Sequence, residues 1–173
     1  MSDYLRAQEE GLVRAVQTED DNFLLQVNEG DFVAHLVDRF RVPVLRLKFD
    51  EAYATESRRS IPAEEFPSGF SVRHGRSYEK PVFTVRIPYE GDVDLLCKQP
   101  STYLSWNAIV HTEGQEVCFE VVDFYGAPER INQAVDEQIN NLRQSSEYLV
   151  WDVEAFNRSL PARAERSLRE RKD

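Results

Sequence analysis

The order of hydrophobic periods along this chain predicts an α+β fold. Its parts are N-terminal helices, a mostly antiparallel sheet of four to six strands, and a long C-terminal helix kinked near Pro161. Two observations carry this. Apolar residues recur at helical spacing up to Phe40, alternate at period two in stretches from Val44 to Val122, and return to helical spacing from Ile131. The 173 residues also suffice for a core without staples, and ten Phe, seven Tyr and two Trp supply the aromatic surface that disordered chains lack.

Residues 3–17 place Leu5, Leu12 and Val16 on one helical face with acids early, where the helix dipole favours them, although Gly11 weakens the pattern. A second helix is expected over Asp31–Phe40. There Phe32, Val33, Leu36, Val37 and Phe40 form the stripe, Asn28 or Asp31 caps it, and Pro43 closes the segment. In Val44–Phe49 the residues Leu45, Leu47 and Phe49 share one face, which predicts the first strand. Residues 50–69, with Ser57-Arg58-Arg59-Ser60, Pro62, Pro67 and Gly69, read as a long connection holding at most one short extended piece.

Val82–Ile87 is the next strand. The turn residues Pro88–Asp92 then predict a hairpin whose returning strand is Val93–Cys97. Gln99–Tyr103 leaves the sheet, and Ala108–Val110 is a candidate to re-enter it. Thr112–Gln115 turns into Glu116–Val122, the best strand of the set.

From Gly126-Ala127-Pro128 onward the chain reads as helix. Ile131, Val135, Ile139, Leu142, Leu149, Val153, Phe156 and Leu160 form one seam, continued by Ala164 and Leu168. Ser146 interrupts it, and Pro161 is expected to kink or restart the helix. The seam has two readings: packing along the chain's own sheet, or an interface shared with a second chain or partner protein. The division expected is 1–126 as an α+β domain and 127–173 as a long helix for packing, oligomerisation or linkage.

Formal charge is −10, which disfavours contact with phosphate backbones, and no apolar run is long enough for a membrane span. Without an apolar leader, the expected compartment is cytoplasmic. Residues 1–40 carry nine acids against three arginines, whereas 162–173 carry five bases against three acids. The plainer reading of that basic stretch is a solvated helix face.

Chemistry-bearing patterns are sparse. There is no GxGxxG, GxxxxGK[ST] or GxSxG, and His35, His74 and His111 show no i, i+4 metal spacing. Cys97 and Cys118 lie in apolar runs, far from a CxxC pattern, and read as buried thiols, with a disulfide open only if their strands pair. No metal and no cofactor are expected. Glu90, Asp92 and Asp94 cluster on the predicted hairpin turn as turn acids do, and Glu116, Glu120 and Asp123 read as the wet face of a strand. Arg58, Arg59, Arg73 and Arg76, with His74, are the candidate anion-binding group, blunted by interleaved Glu64, Glu65 and Glu79. Tyr103 and Trp106 are loop aromatics suited to a contact surface or to burial on the core.

Val27–Val33 (VNEGDFV), Val82–Ser101 (VFTVRIPYEGDVDLLCKQPS) and Asp152–Asn157 running into Arg169-Glu170-Arg171-Lys172 form a series. It resembles the N-terminal region of large bacterial proteins that carry a downstream PD-(D/E)XK nuclease-like domain and are linked to defence against foreign DNA. The resemblance covers nearly the whole chain and rests on segment order, with no catalytic motif. A PD-(D/E)XK site needs an acid-x-Lys pair on a strand to hold a metal and orient water, and no predicted strand here has one. The implied nuclease activity is therefore not carried over. The resulting expectation is a non-catalytic scaffold, sensor or oligomerisation module that is not itself an enzyme. Its partner would be a second copy or another protein or domain, met through the C-terminal helix. The alternative is a ligand- or nucleic-acid-binding module using the arginine group and the basic tail.

Overall fold

The structure, a computed structural model, describes residues 1–98 and 110–172. It is α+β, with four α-helices, three 3₁₀ turns and a mostly antiparallel five-stranded sheet among these residues. The predicted re-entry at Ala108–Val110 falls outside them except for Val110, as do Tyr103 and Trp106. Contacts divide the chain into two compact units. The first takes the described residues of Met1–Arg46, Gly91–Leu104 and Ser145–Asp173; the second takes those of Leu47–Glu90 and Ser105–Gln144.

The helical unit begins with α1 (Ser2–Gln17), which buries Leu12 and Val16. Gly11 is explained by close approach: a Cβ there would meet the Phe40 ring at 3.0 Å. A short helix absent from the sequence reading, α2 (Asp21–Gln26), follows, capped by the Asp20 side chain accepting from the Phe23 N–H. Six residues with one buried side chain, Leu24, give too little periodicity to be seen in the sequence. Helix α3 (Glu29–Phe40) starts at Asn28, whose side chain accepts from the Gly30 and Asp31 N–H groups. Asn28 is thus the cap, and Asp31 lies in the first turn.

Helix α4 (Pro128–Lys172) is the longest element, and its residues from Ser145 belong to this unit. Leu149, Val153, Phe156, Leu160, Ala164 and Leu168 are all buried, and Ser146, the expected weak point, is buried with them. Pro161 lies inside α4 on an exposed position, and the helix continues past it without restarting. Proline removes one N–H, and on the solvent side that loss is borne most easily.

In the sheet unit, β3 (Ser77–Glu90) is the central strand. One edge pairs with β5 (Glu116–Val122), from Val82↔Val122 to Pro88↔Glu116, and β4 (His111–Glu113) pairs outside β5 across the Gly114-Gln115 turn. The other edge pairs with β2 (Tyr53–Pro62) and, beyond it, with β1 (Arg46–Leu47). Val85, Ile87 and Phe119 face Leu142 of α4, with Phe49, Val135 and Ile139 packed around them. Burying a side chain of that size stabilises by about 1.5–3 kcal/mol, several times the typical value of an exposed ion pair, so this face decides the register.

Three expectations are corrected here. The connection at 50–69 is instead mostly β2, ten residues paired in continuous register with β3. Tyr53–Ser60 are exposed on both faces, so the strand has no alternation to betray it. The strand expected over Val44–Phe49 shrinks to Arg46–Leu47, followed by a 3₁₀ turn at Phe49–Glu51. The returning strand at Val93–Cys97 is a 3₁₀ turn, capped by Asp92 accepting from the Asp94 N–H at 3.0 Å. Gly91 adopts φ +90, and its backbone lies against the Val44 carbonyl, where a Cβ would collide. Near the end of β3 both edges are already occupied, one by β5 (Ile87↔Val117, Pro88↔Glu116) and the other by the β1 segment, whose Lys48 N–H donates to the Pro88 carbonyl.

Candidate functional site

Antiparallel sheets commonly keep one face wet. Register places Tyr53 opposite Arg86, Arg86 opposite Cys118 and Cys118 opposite His111, so these four side chains line one face in a row across four strands. Glu113 and Glu116, a cross-strand pair, lie on the same face. The result is a connected polar network. Arg86 donates to Glu113 Oε2 at 2.5 Å and reaches Glu116 Oε2 at 3.5 Å, and the Tyr53 hydroxyl donates to Glu116 Oε1 at 2.9 Å. His111 Nε2 lies 3.1 Å from Glu113 Oε1, and Cys118 Sγ lies 3.6 Å from Arg86.

Electrostatics follow from these contacts. The hydrogen bond from Arg86 and then that from His111 hold the Glu113 carboxyl below the usual carboxylate range. Arg86 is pushed up by the same bond, and Tyr53 by its bond to Glu116. Burial pushes the Cys118 thiol up, outweighing the guanidinium beside it, so this sulfur is held as a thiol and not as a nucleophilic thiolate.

His111, Glu113 and Cys118 offer ligand atoms within 4.8 Å of one another, a grouping the sequence hid because strand pairing, not spacing, creates it. Arg86 already supplies the cation for this donor set, bonded to Glu113 and beside the sulfur. A divalent ion would have to displace that guanidinium, and so the grouping reads as a neutralised network. Neither thiol is in a disulfide: Cys97 is exposed, against expectation, and Cys118 is buried as expected.

Further along the same face, Arg59 makes a bidentate pair with Glu120, at 3.1 and 2.8 Å. Adjacent on β2, Arg58 points to the opposite face and lies 3.9 Å from Glu79. Arg73 and Arg76 lie in the turn after Phe70, where the Arg76 N–H donates to the Arg73 carbonyl at 3.1 Å. Arg58 and Arg59 therefore face opposite sides of β2.

The expected acid cluster disperses into separate roles. Glu90 pairs with Lys48 at 2.7 Å, and Asp92 caps the 3₁₀ turn. Glu116 and Glu120 occupy the wet face as expected, whereas Asp123 accepts from the Tyr125 and Gly126 N–H groups just beyond β5. The basic stretch is not merely solvated. Arg163 pairs with Glu9, Arg171 with Asp21, and Lys172 with Glu29 at 2.8 Å, joining the basic end of α4 to the acidic N-terminal helices.

Of the seam residues, Leu142, Leu149, Val153, Phe156 and Leu160 are buried by the chain itself, and Ile131, Val135 and Ile139 are half-buried. Between α3 and α4 a groove of about 770 Å³ is lined by Val33, Val37, Leu168 and charged neighbours. No helix among the described residues is long and apolar enough to cross a membrane. Compared with known proteins, the chain matches no protein-family model, no curated protein and no solved structure.

Proposed function

We propose that this chain is a non-catalytic α+β module that works by protein–protein contact, of the kind that precedes a PD-(D/E)XK nuclease-like domain in bacterial defence proteins. One observation carries the reading: both arginines placed on the open sheet face by the register of β2, β3 and β5 are matched to carboxylates of the same face, Arg86 to Glu113 and Glu116, and Arg59 to Glu120. Catalytic groups need protonation states poised for transfer or attack, and self-neutralising pairs with a raised thiol are the opposite arrangement. The alternative, anion or nucleic-acid binding by Arg58, Arg59, Arg73 and Arg76, is less supported, because Arg59 would have to leave a bidentate carboxylate and the net charge is −10.

The test uses the purified chain with labelled duplex and single-stranded DNA, at low salt, with and without Mg²⁺ or Mn²⁺. The expected result is intact DNA and a flat anisotropy curve. Cleavage that is lost in Glu113→Gln would overturn the reading. Binding that weakens steeply with added salt would transfer it to the arginine group.

A further inference from the structure

Strand β2 is unusual for an edge. Tyr53–Ser60 are exposed without a break, the pairing with β3 has no bulge, and no proline interrupts the strand before Pro62. Natural edges are blunted by proline, bulges, covering loops or charge. Among the described residues only charge is present here, as Glu56, Arg58 and Arg59.

The direction of its free backbone groups follows from three hydrogen bonds. The Lys48 N–H donates to the Pro88 carbonyl at 2.8 Å, on the edge of β3 shared by β1 and β2. On the opposite edge, the Tyr89 N–H donates to the Gln115 carbonyl, and the Pro81 carbonyl accepts from the Asp123 N–H. Even-numbered β3 residues thus turn their backbone groups toward β2, and odd-numbered ones toward β5. With Tyr53 opposite Arg86, the odd residues of β2 bond inward. Ala54, Glu56, Arg58 and Ser60 therefore aim their N–H and C=O groups outward, off the sheet.

Resting on the reading of the chain as a protein-contact module, we propose that β2 is the site where two copies of this chain pair, antiparallel about a two-fold axis at Ser57. Opposed residues in such a pair must both carry outward groups, so even positions meet even positions and the axis falls on one residue. An axis at Glu56 opposes two glutamates, and one at Arg58 opposes two arginines. An axis at Ser57 opposes Glu56 to Arg58 twice and Ala54 to Ser60 twice, with each opposed pair exchanging two backbone hydrogen bonds. Opposite charges across a strand pair stabilise it and like charges destabilise it, so the charges that protect the edge from other strands select this register against itself. Arg58 is 66% exposed and lies 3.9 Å from Glu79, so its guanidinium has room for a second carboxylate while staying largely hydrated. One strand pair buries less than a standard interface, and the dimer is accordingly concentration-dependent.

Sedimentation of the intact chain from about 10 µM to about 1 mM tests this. The expected result is a dimer fraction that rises over the range. It should be lost in R58E and in E56R, which each oppose like charges, and regained when these two variants are mixed, since every opposed pair is then Glu with Arg. E56P removes an outward N–H while leaving the ladder to β3 intact, and it should also give monomer with unchanged circular dichroism. A wild type that stays monomeric throughout overturns the proposal. So does a dimer that survives these substitutions, or single variants that do not complement each other. A monomer would leave the non-catalytic reading standing, and DNA cleavage would overturn that reading without touching the dimer.

Discussion

The helical unit and the sheet unit use charge differently. In the helical unit, charged pairs join segments far apart in sequence, as in Arg163–Glu9, Arg171–Asp21 and Lys172–Glu29, around a core that the helices bury among themselves. In the sheet unit, charge forms a network across neighbouring strands on one open face, and β2 carries an exposed edge with no buried residue before Ile61. Burial therefore fixes the first region, whereas in the second the backbone ladder and exposed polar pairs place most of strand β2. A strand held with so little burial is also the one with backbone groups left to offer.

The comparison predicts unequal sensitivity. Leu160→Ala, at a fully buried position of α4, should cost about 2–5 kcal/mol in urea unfolding, while Thr55→Ala on exposed β2 should stay within about 0.5 kcal/mol. A Thr55→Ala cost comparable to that of Leu160→Ala would break the contrast. Gly91→Ala should come next, at about 2–4 kcal/mol, because alanine at φ +90 is strained and its Cβ must push the Val44 carbonyl away.

Asn157→Ala sharpens the helical side of the contrast. The Asn157 amide donates to the Val42 carbonyl at 2.8 Å and accepts from the Val42 N–H at 3.0 Å, imitating a strand partner for a segment that has none. Losing both bonds should cost about 1–3 kcal/mol, read as a lower urea midpoint.

The two thiols report on the units separately. Cys97 should react with Ellman's reagent at once and Cys118 only on opening of the sheet, so that mass spectrometry finds a single adduct at short times. Because burial raises the Cys118 value above its ordinary 9.0, its contribution to stability is full below pH 9 and is lost as pH climbs through the folded value. Cys118→Ser should flatten that alkaline decline. A small effect is also expected for Arg59→Ala: its pair with Glu120 is half-exposed, so the loss should lie below about 1 kcal/mol and shrink further in salt.

What the sequence determined by itself was the class of fold and the elements with a buried stripe. Leu12 and Val16, Phe32 and Leu36, Val117 and Phe119, and the seam from Leu142 to Leu168 all repeat at the period of their element, because each turns one face to a core. Tertiary structure alone decided the rest. Strand β2 has no apolar period over Tyr53–Ser60, since both faces meet water there, and it becomes a strand by pairing with the edge of β3. Val93–Cys97 has a strand-like composition but folds as a 3₁₀ turn, with the edges of β3 taken by other segments. The polar network of Tyr53, Arg86, His111, Glu113, Glu116 and Cys118 draws on residues up to 65 positions apart, brought into line by the registers of three strand pairs. Periodicity is a local property that a single segment carries. Register is a relation between segments, settled only when the larger apolar faces have found each other.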